Sequence, residues 1–537
     1  MVKVDCALVL CLAWLSTAAS GHDLAPSKEA ALRRAPQIFN AVHDALRQWG
    51  SSMHHNGMSL FLVTVPTGVL LHHGNDRRES PSEPDWLAFE IEHAEMFARG
   101  VDRPRHAKPP PPPPPPGQKP LADKEEEEEE EEQQQQQQQY GDGPAANDSH
   151  PGYLHVYRTK RPLHYLYVDG MGGGKTTIGT LDTQDLLLRG DRSTSGGNGS
   201  SSSETPGSHV SGSGPLNERQ RAEDLCKLCR AWNLQGVMRM EAGFELIQCD
   251  FSDGLHQVQA LRRPPAAKRS LRRLVHSEYL RGVAERYDGI GSSRALIDFS
   301  HMVSAFFFPV NLTNPNPGRP DLPRLSEATD EELAAIKSFL GDVIQQQQQQ
   351  QQQRGQGDTQ SPITWQGVSD MIVSRYATRL EFMIQKIDEL EHMTAEINVL
   401  LDVYVDQTEE DAAPSIPDAV ERCTTFYLQS ISPASEIDHL IYAAFHAVTA
   451  TICDKLFHVR HLIYSAGASH VSVLSRAKYE LQSLVDFLDW AHFKRCSKCD
   501  LGEVCVIPMW PFGTAKDYFH PRCGHFWDVP GKRYWDE

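Results

Sequence analysis

The residues of this chain that could do chemistry fall into a few short stretches. Gly170-Met171-Gly172-Gly173-Gly174-Lys175-Thr176 has the residue types of a phosphate cradle, with glycines that let backbone N–H groups approach an anion and a lysine to meet its charge. Its spacing is one residue short of a P-loop, and Gly179 follows too soon for the helix such a loop opens, so it reads as a flexible glycine turn. Asp182 and Asp185 are paired carboxylates of the kind that serves glycoside cleavage, but acids at this spacing are common on turns and helix starts, and the structural reading leads. Asp454, His458 and His461 fall at i, i+4 and i+7, one face of a helix and a pattern able to hold a metal, though exposed histidines beside an acid are frequent. Neither a Gly-x-Ser-x-Gly elbow nor a His-Glu-x-x-His helix occurs, so serine hydrolases and zinc proteases lose their usual sequence support.

The compartment constrains what these residues can meet. Lys3, the apolar run Ala7 to Leu15 and the small residues Ser16 to Gly21 form a secretory signal peptide, too short to span a bilayer. Residues 1–21 are therefore expected to be removed, leaving a secreted chain without a transmembrane segment. The nine cysteines that remain are an odd number, so at least one is left over or pairs between chains. The pairs Cys226/Cys229 and Cys496/Cys499 would suggest zinc in a cytosolic protein, but an exported one favours disulfides. Four cysteines near the C-terminus can make two local staples, and Cys423 with Cys453 can tie two helices together. Sequons stand at Asn147, Asn198 and Asn311, which makes a glycoprotein.

The formal charge of −19 overstates any acidic surface, because eight glutamates sit in the run Glu125 to Glu132. Without a basic stripe interleaved with aromatics, a nucleic-acid partner is not expected. A proline run at Pro109 to Pro116, the glutamates, the glutamines 133–139 and a Gly/Ser-rich stretch at 193–214 read as disordered insertions at 101–150 and 190–216. A second glutamine run, Gln345 to Gln353, places a flexible linker at 316–360.

The elements that must position the chemistry follow from periodicity. A helix is predicted over 36–49, strands at 60–65 and 69–73 around the turn Pro66-Thr67-Gly68, a strand at 86–89 leading into a helix, strands at 153–157 and 164–168, a helix at 221–232 and a strand at 243–251. Met302 to Val310 reads as a buried core segment. From Trp365 to Tyr404 an apolar stripe marks a long amphipathic helix, Ser435 opens a second, and Leu474 to Leu488 a third, giving an all-α bundle over 361–495 with a Cys-rich cap at 496–537. The fold class is α+β: a mixed α/β domain over 22–315, a C-terminal helical bundle, and disulfide staples.

The stretch Leu70-Leu71-His72-His73-Gly74, then Trp86-Leu87-Ala88-Phe89 and Glu92-His93-Ala94-Glu95-Met96-Phe97-Ala98, resembles the N-terminal half of the ADP-ribosyltransferase fold. That resemblance implies an NAD-dependent transferase or NAD glycohydrolase. His73 would contact a ribose hydroxyl, Gly74 would clamp the nicotinamide amide through its backbone, and Trp86 or Phe89 would stack on nicotinamide. Bond cleavage builds positive charge on the sugar, so a carboxylate is required nearby; Glu245 is assigned to that role. Asn75 stands where the family has threonine, which departs from the pattern. The alternative is a non-catalytic secreted interaction protein on a degenerate version of the fold. Over its full length, with Gly179 to Asp185, Tyr287 to Gly291 and Pro508 to Gly513 as the telling stretches, the chain is similar to uncharacterised secreted proteins of filamentous fungi, a family that implies no activity.

Overall fold

Runs such as Leu60-Phe61-Leu62-Val63, apolar at every position, belong to strands covered on both faces. The computed structural model describes residues 24–98, 151–192, 217–263, 279–291, 293–353, 364–406, 415–465, 470–496, 498–525 and 534–535. The expected signal segment, the insertion at 101–150, most of that at 190–216, and the sequons at Asn147 and Asn198 lie outside those residues. Asn311 is exposed, its side chain accepting from the Thr313 N–H at 3.0 Å.

Nine strands form one sheet: β1 (Asn56–Val65), β2 (Leu70–Asn75), β3 (Asp85–Ala88), β4 (Gly152–Thr159), β5 (Leu163–Gly170), β6 (Gly236–Glu241), β7 (Gly243–Gln248), β8 (Leu255–Arg263) and β9 (Leu296–Ser304). Their order is β8-β4-β2-β3-β7-β6-β5-β1-β9, with every neighbouring pair antiparallel except β5 and β6. A parallel pair needs a long crossover. The chain supplies one that includes a π-helical turn, Thr183–Arg189, and a helix that closes back onto the sheet.

Register assigns each side chain to a face, because paired residues share one and successive residues alternate. His72 pairs with Ala88, Ala88 with Glu245 and Glu245 with Arg239, so these four share the first face. His73 pairs with His155, and Tyr167 with Phe61, on the second.

Helices flank both faces. At the N-terminus α1 (Lys28–Arg33), α2 (Ala35–Asp44) and α3 (Gln48–Met53) approach the second face, where Tyr167 Oη meets the Leu46 N–H at 3.3 Å. The expected helix over 36–49 is split between α2 and α3, with Leu46 at a φ of 58° in the break. On the first face lie α4 (Ile91–Phe97) and the crossover helix α5 (Glu218–Ala231). Beside the crossover runs α6 (Asp330–Gln353), which replaces the expected linker. Glutamine is a good helix former, and the run continues a helix already anchored by buried Leu333, Ile336, Leu340 and Ile344. Gln348 itself donates to the Trp232 carbonyl at 2.6 Å.

The bundle comprises α7 (Trp365–Gln385), α8 (Leu390–Leu401), α9 (Ile416–Thr425), α10 (Glu436–Tyr464) and α11 (His470–Leu488); a short α12 (Ala515–Phe519) lies in the tail. The stripe predicted as one long helix is carried by α7 and α8, and Ile387 in the break stays buried, so the stripe keeps its phase. As expected, Ser435 caps α10, in a capping box with Asp438. By length and composition α10 could cross a membrane, and 61% of its apolar window is buried inside the protein. The bundle is no separate module: its residues and those of the sheet belong to one continuous apolar cluster. Phe39 of α2 packs its ring 4.6 Å from that of Phe445, and the Asp438 carboxylate accepts from Ser300 of β9 and Trp365 of α7, both at 2.9 Å.

Four disulfides staple the fold. Cys423–Cys453 joins α9 to α10, and Cys496–Cys505 with Cys499–Cys523 makes the two C-terminal staples. Neither Cys-x-x-Cys pair bonds internally: Cys226 instead reaches Cys249 after β7, leaving Cys229 buried and free, with burial pushing its thiol up to about 12. Thiol titration of the chain from residue 24 onward should therefore find one thiol per molecule, silent until denaturant is added; reactivity in the native state would contradict the pairing.

A second fastening joins α2 to the bundle. His54 lies between Asp44 of α2, at 2.7 Å, and Asp489 just after α11, at 3.4 Å. Burial alone would lower its pKa, but the two carboxylates outweigh burial and raise it to about 10 from an ordinary 6.5. A raised histidine contributes stability that is complete below the unfolded value and lost as pH climbs through the folded one. The melting temperature should accordingly fall by several degrees between pH 7 and 10, and His54→Gln should flatten that limb of the profile; an unchanged slope in His54→Gln would refute the clasp.

Candidate functional site

The expected site residues separate across the sheet. His73 and Glu245 lie on opposite faces, and so cannot act on one atom. Trp86 pairs with Ile247 and shares the face of Glu245, while Phe89 lines a 560 Å³ pocket with His72, Glu90 and Arg294 on that same side. Gly74 also belongs there. A Cβ at this position would overlap the Ala94 carbonyl oxygen and crowd the Ala98 N–H, so the glycine lets α4 seat against the sheet. Ala94 of α4 and its C-cap Ala98 then join a small cluster with Ala88 and Leu154.

On the second face His73 has its own surroundings. Nδ1 donates to the Trp86 carbonyl at 2.7 Å, which fixes the ring and leaves Nε2 buried with no hydrogen-bond partner. Asp85 Oδ2 stands 3.9 Å from Nε2, and that side chain is 14% exposed. The His73 ring lies 5.5 Å from both Phe251 and His155. Burial, and the neighbouring His73, lower His155 to about 4, so it is neutral at physiological pH. As a neutral ring it donates from Nε2 to Asn75 Oδ1 and the Arg77 carbonyl, and accepts from Gln257 at Nδ1. Tyr157, raised to about 12 chiefly by burial, donates to Ser80 Oγ at 2.9 Å. Ser80, Tyr157, Asp250, Phe251, Ser252 and Gln257 line a pocket of 430 Å³, within the range of about 300–1,000 Å³ common for small-molecule sites. Aromatic walls, hydroxyls and one carboxylate suit a small hydroxyl-bearing ligand.

Glu245 belongs to a buried ionic network on the first face. Arg239 Nε reaches Glu245 at 2.6 Å, while Arg239 also binds Glu218 of α5 and Gln184 of the π-helical turn. Glu218 pairs with Arg221, which reaches Asp185 at 2.8 Å, so Asp185 is a structural anchor, and Asp182 likewise holds Arg324 at 2.7 Å. Lys175, from the glycine-rich loop, inserts under Trp510 and meets Glu241 at 2.5 Å; His93 of α4 is 3.4 Å from the other Glu241 oxygen. Burial would push Glu241 up, but Lys175 and His93 hold it at about 2. Burial prevails at Glu245 and raises it despite Arg239. The loop of Lys175 is visible in the sequence through its glycines; its partner Glu241 carries no local motif, since it sits in β6, a strand without a distinct pattern of its own.

Two groups of described residues bring three metal-capable atoms within 4.8 Å: His93, Glu241 and Glu245, and Cys496, Cys499 and Cys523. The cysteines are committed to disulfides. Asp454, His458 and His461 lie exposed on α10, outside both groups.

The packing role of Gly74 has a direct test. Gly74→Ala should destabilise the protein by about 1–3 kcal/mol in denaturant unfolding, through overpacking of α4 and with no NAD present; wild-type stability would return Gly74 to the ligand role.

The comparisons bear on the whole chain. Over 90% of its length it is 22% identical to the Saccharomyces cerevisiae protein YOR389W, of which it covers 83%, and it is 30% identical over 216 residues to YPL277C of the same organism, 40% of each chain. Both relatives are described as uncharacterised. No solved structure matches the chain, so the ADP-ribosyltransferase resemblance gains no structural counterpart. Residues 28–268 match the family model described as the YPL277C N-terminal domain, and the likeness thus reaches yeast rather than being particular to filamentous fungi: the chain is similar to an uncharacterised family that includes yeast proteins.

Proposed function

We propose that the chain is a secreted, disulfide-stapled enzyme that takes a small hydroxyl-bearing ligand of the NAD or nucleoside class over Tyr157 and Phe251 and acts on it with His73 and Asp85. The observation that carries this reading is the state of His73: one ring nitrogen pinned by a backbone carbonyl, the other buried without a partner and facing a carboxylate beside a pocket. A histidine oriented in this way is set up for proton transfer. Asp85 takes the part expected of Glu245, as the carboxylate on the same side of the sheet where positive charge would build during cleavage of a nicotinamide–ribose bond. Phe251 replaces Trp86 and Phe89 as the aromatic near His73. The signal-like N-terminus and the four disulfides support export, since such bonds persist in oxidising compartments.

Incubation of the purified mature chain with NAD, followed by chromatographic assay of nicotinamide, tests the reading. Release should fall by about 10²-fold or more in His73→Ala and in Asp85→Asn while both variants keep wild-type circular dichroism. No release by the wild type, or full activity in both variants, would sink the catalytic reading and leave a non-catalytic interaction protein.

A further inference from the structure

On the face of the sheet away from His73, His93, Glu241 and Glu245 come from three elements: helix α4 and strands β6 and β7. We propose that these three side chains form a binding site for one divalent transition-metal ion of the zinc or manganese class.

Geometry carries the assignment. The three candidate ligand atoms lie within 4.8 Å of one another, and all three residues are buried. His93 Nε2 and Glu241 Oε1 are 3.4 Å apart, which is the separation of two donors that share a tetrahedral centre at about 2.1 Å. Glu245 lies within 4.8 Å of both, close enough for a side-chain torsion to complete the set. His93 is 4% exposed, so its Nε2 meets Glu241 in an interior shielded from bulk water.

Each carboxylate is already aimed. Lys175 holds Glu241 through Oε2, and Arg239 holds Glu245 through Oε1, which leaves one oxygen of each directed elsewhere. Ligating carboxylates are characteristically fixed by outer partners of this kind. Two carboxylates with one imidazole make a mixed hard and borderline donor set, suited to zinc or manganese rather than to calcium or copper(I). Three protein donors also leave a coordination position open. Lys175 contacts Glu241 through Oε2, so Oε1 is the oxygen that faces His93.

Equilibrium dialysis of the mature chain against micromolar Zn²⁺ or Mn²⁺, with elemental analysis, should find one ion per chain, and His93→Asn should weaken binding at least tenfold. Cobalt(II) uptake by the unmutated chain gives a readout that survives a misfolded variant: visible bands of an oxygen and nitrogen site, without the near-ultraviolet thiolate band that Cys229 would produce. A wild-type chain that binds neither ion, a cobalt spectrum with thiolate character, or binding that persists in His93→Asn and disappears in His458→Ala/His461→Ala would each overturn the site. Because it lies across the sheet from His73, its failure would leave the reading of the His73 pocket standing.

Discussion

A guanidinium that cannot reach water governs much of this architecture. Arg239 is fully buried in a central strand, and an unpaired charge there would cost several kcal/mol. It is satisfied only if α5 delivers Glu218, β7 delivers Glu245 and the π-helical turn delivers Gln184, so its presence fixes the crossover helix, the hairpin partner and the intervening turn together. The network continues through Arg221 to Asp185, and from there to Arg189. Replacing such a set with hydrocarbon is often neutral or stabilising. What a matched set supplies is uniqueness, since a shifted register would strand at least one of these charges.

The two faces of the sheet consequently differ in kind. One holds charge against charge in a closed interior. The other holds a histidine whose second nitrogen lies near a carboxylate and whose ring neighbours Phe251, one wall of an aromatic, hydroxyl-lined pocket. Both descend from adjacent residues, His72 and His73, and the alternation of a β-strand alone divides them.

That alternation also explains what could be read beforehand. His73 was legible because it lies in a local strand pattern that needs nothing distant to identify it. Its carboxylate was not: Asp85 and Glu245 are both acids near strands, and only the pairing of β2 with β3 and β3 with β7 says which one shares its face. Strand β6 escaped notice because Gly236-Val237-Met238-Arg239-Met240-Glu241 mixes charge into a buried run, the pattern of a strand whose polar residues are paired inside. Most helices were legible from their stripes and caps, as at Ser435, and the odd cysteine from counting, though the partner of Cys226 required the sheet. The glutamine run was misjudged for a different reason. Composition describes a tract in isolation, whereas helix propagation depends on what precedes it.

Helix α6 gives that tract an unusual relation to the fold. Leu333 to Ile344 bear the packing, Gln347 and Gln348 still touch the body, and the glutamines from 349 to 352 stand in solvent. Homopolymeric codon runs change length by replication slippage more readily than other sequence. Here each inserted glutamine would lengthen a rod by about 1.5 Å and turn its end by about 100°, without removing a core contact. A change in the length of the run would thus move the end of the rod and leave the folded body as it was.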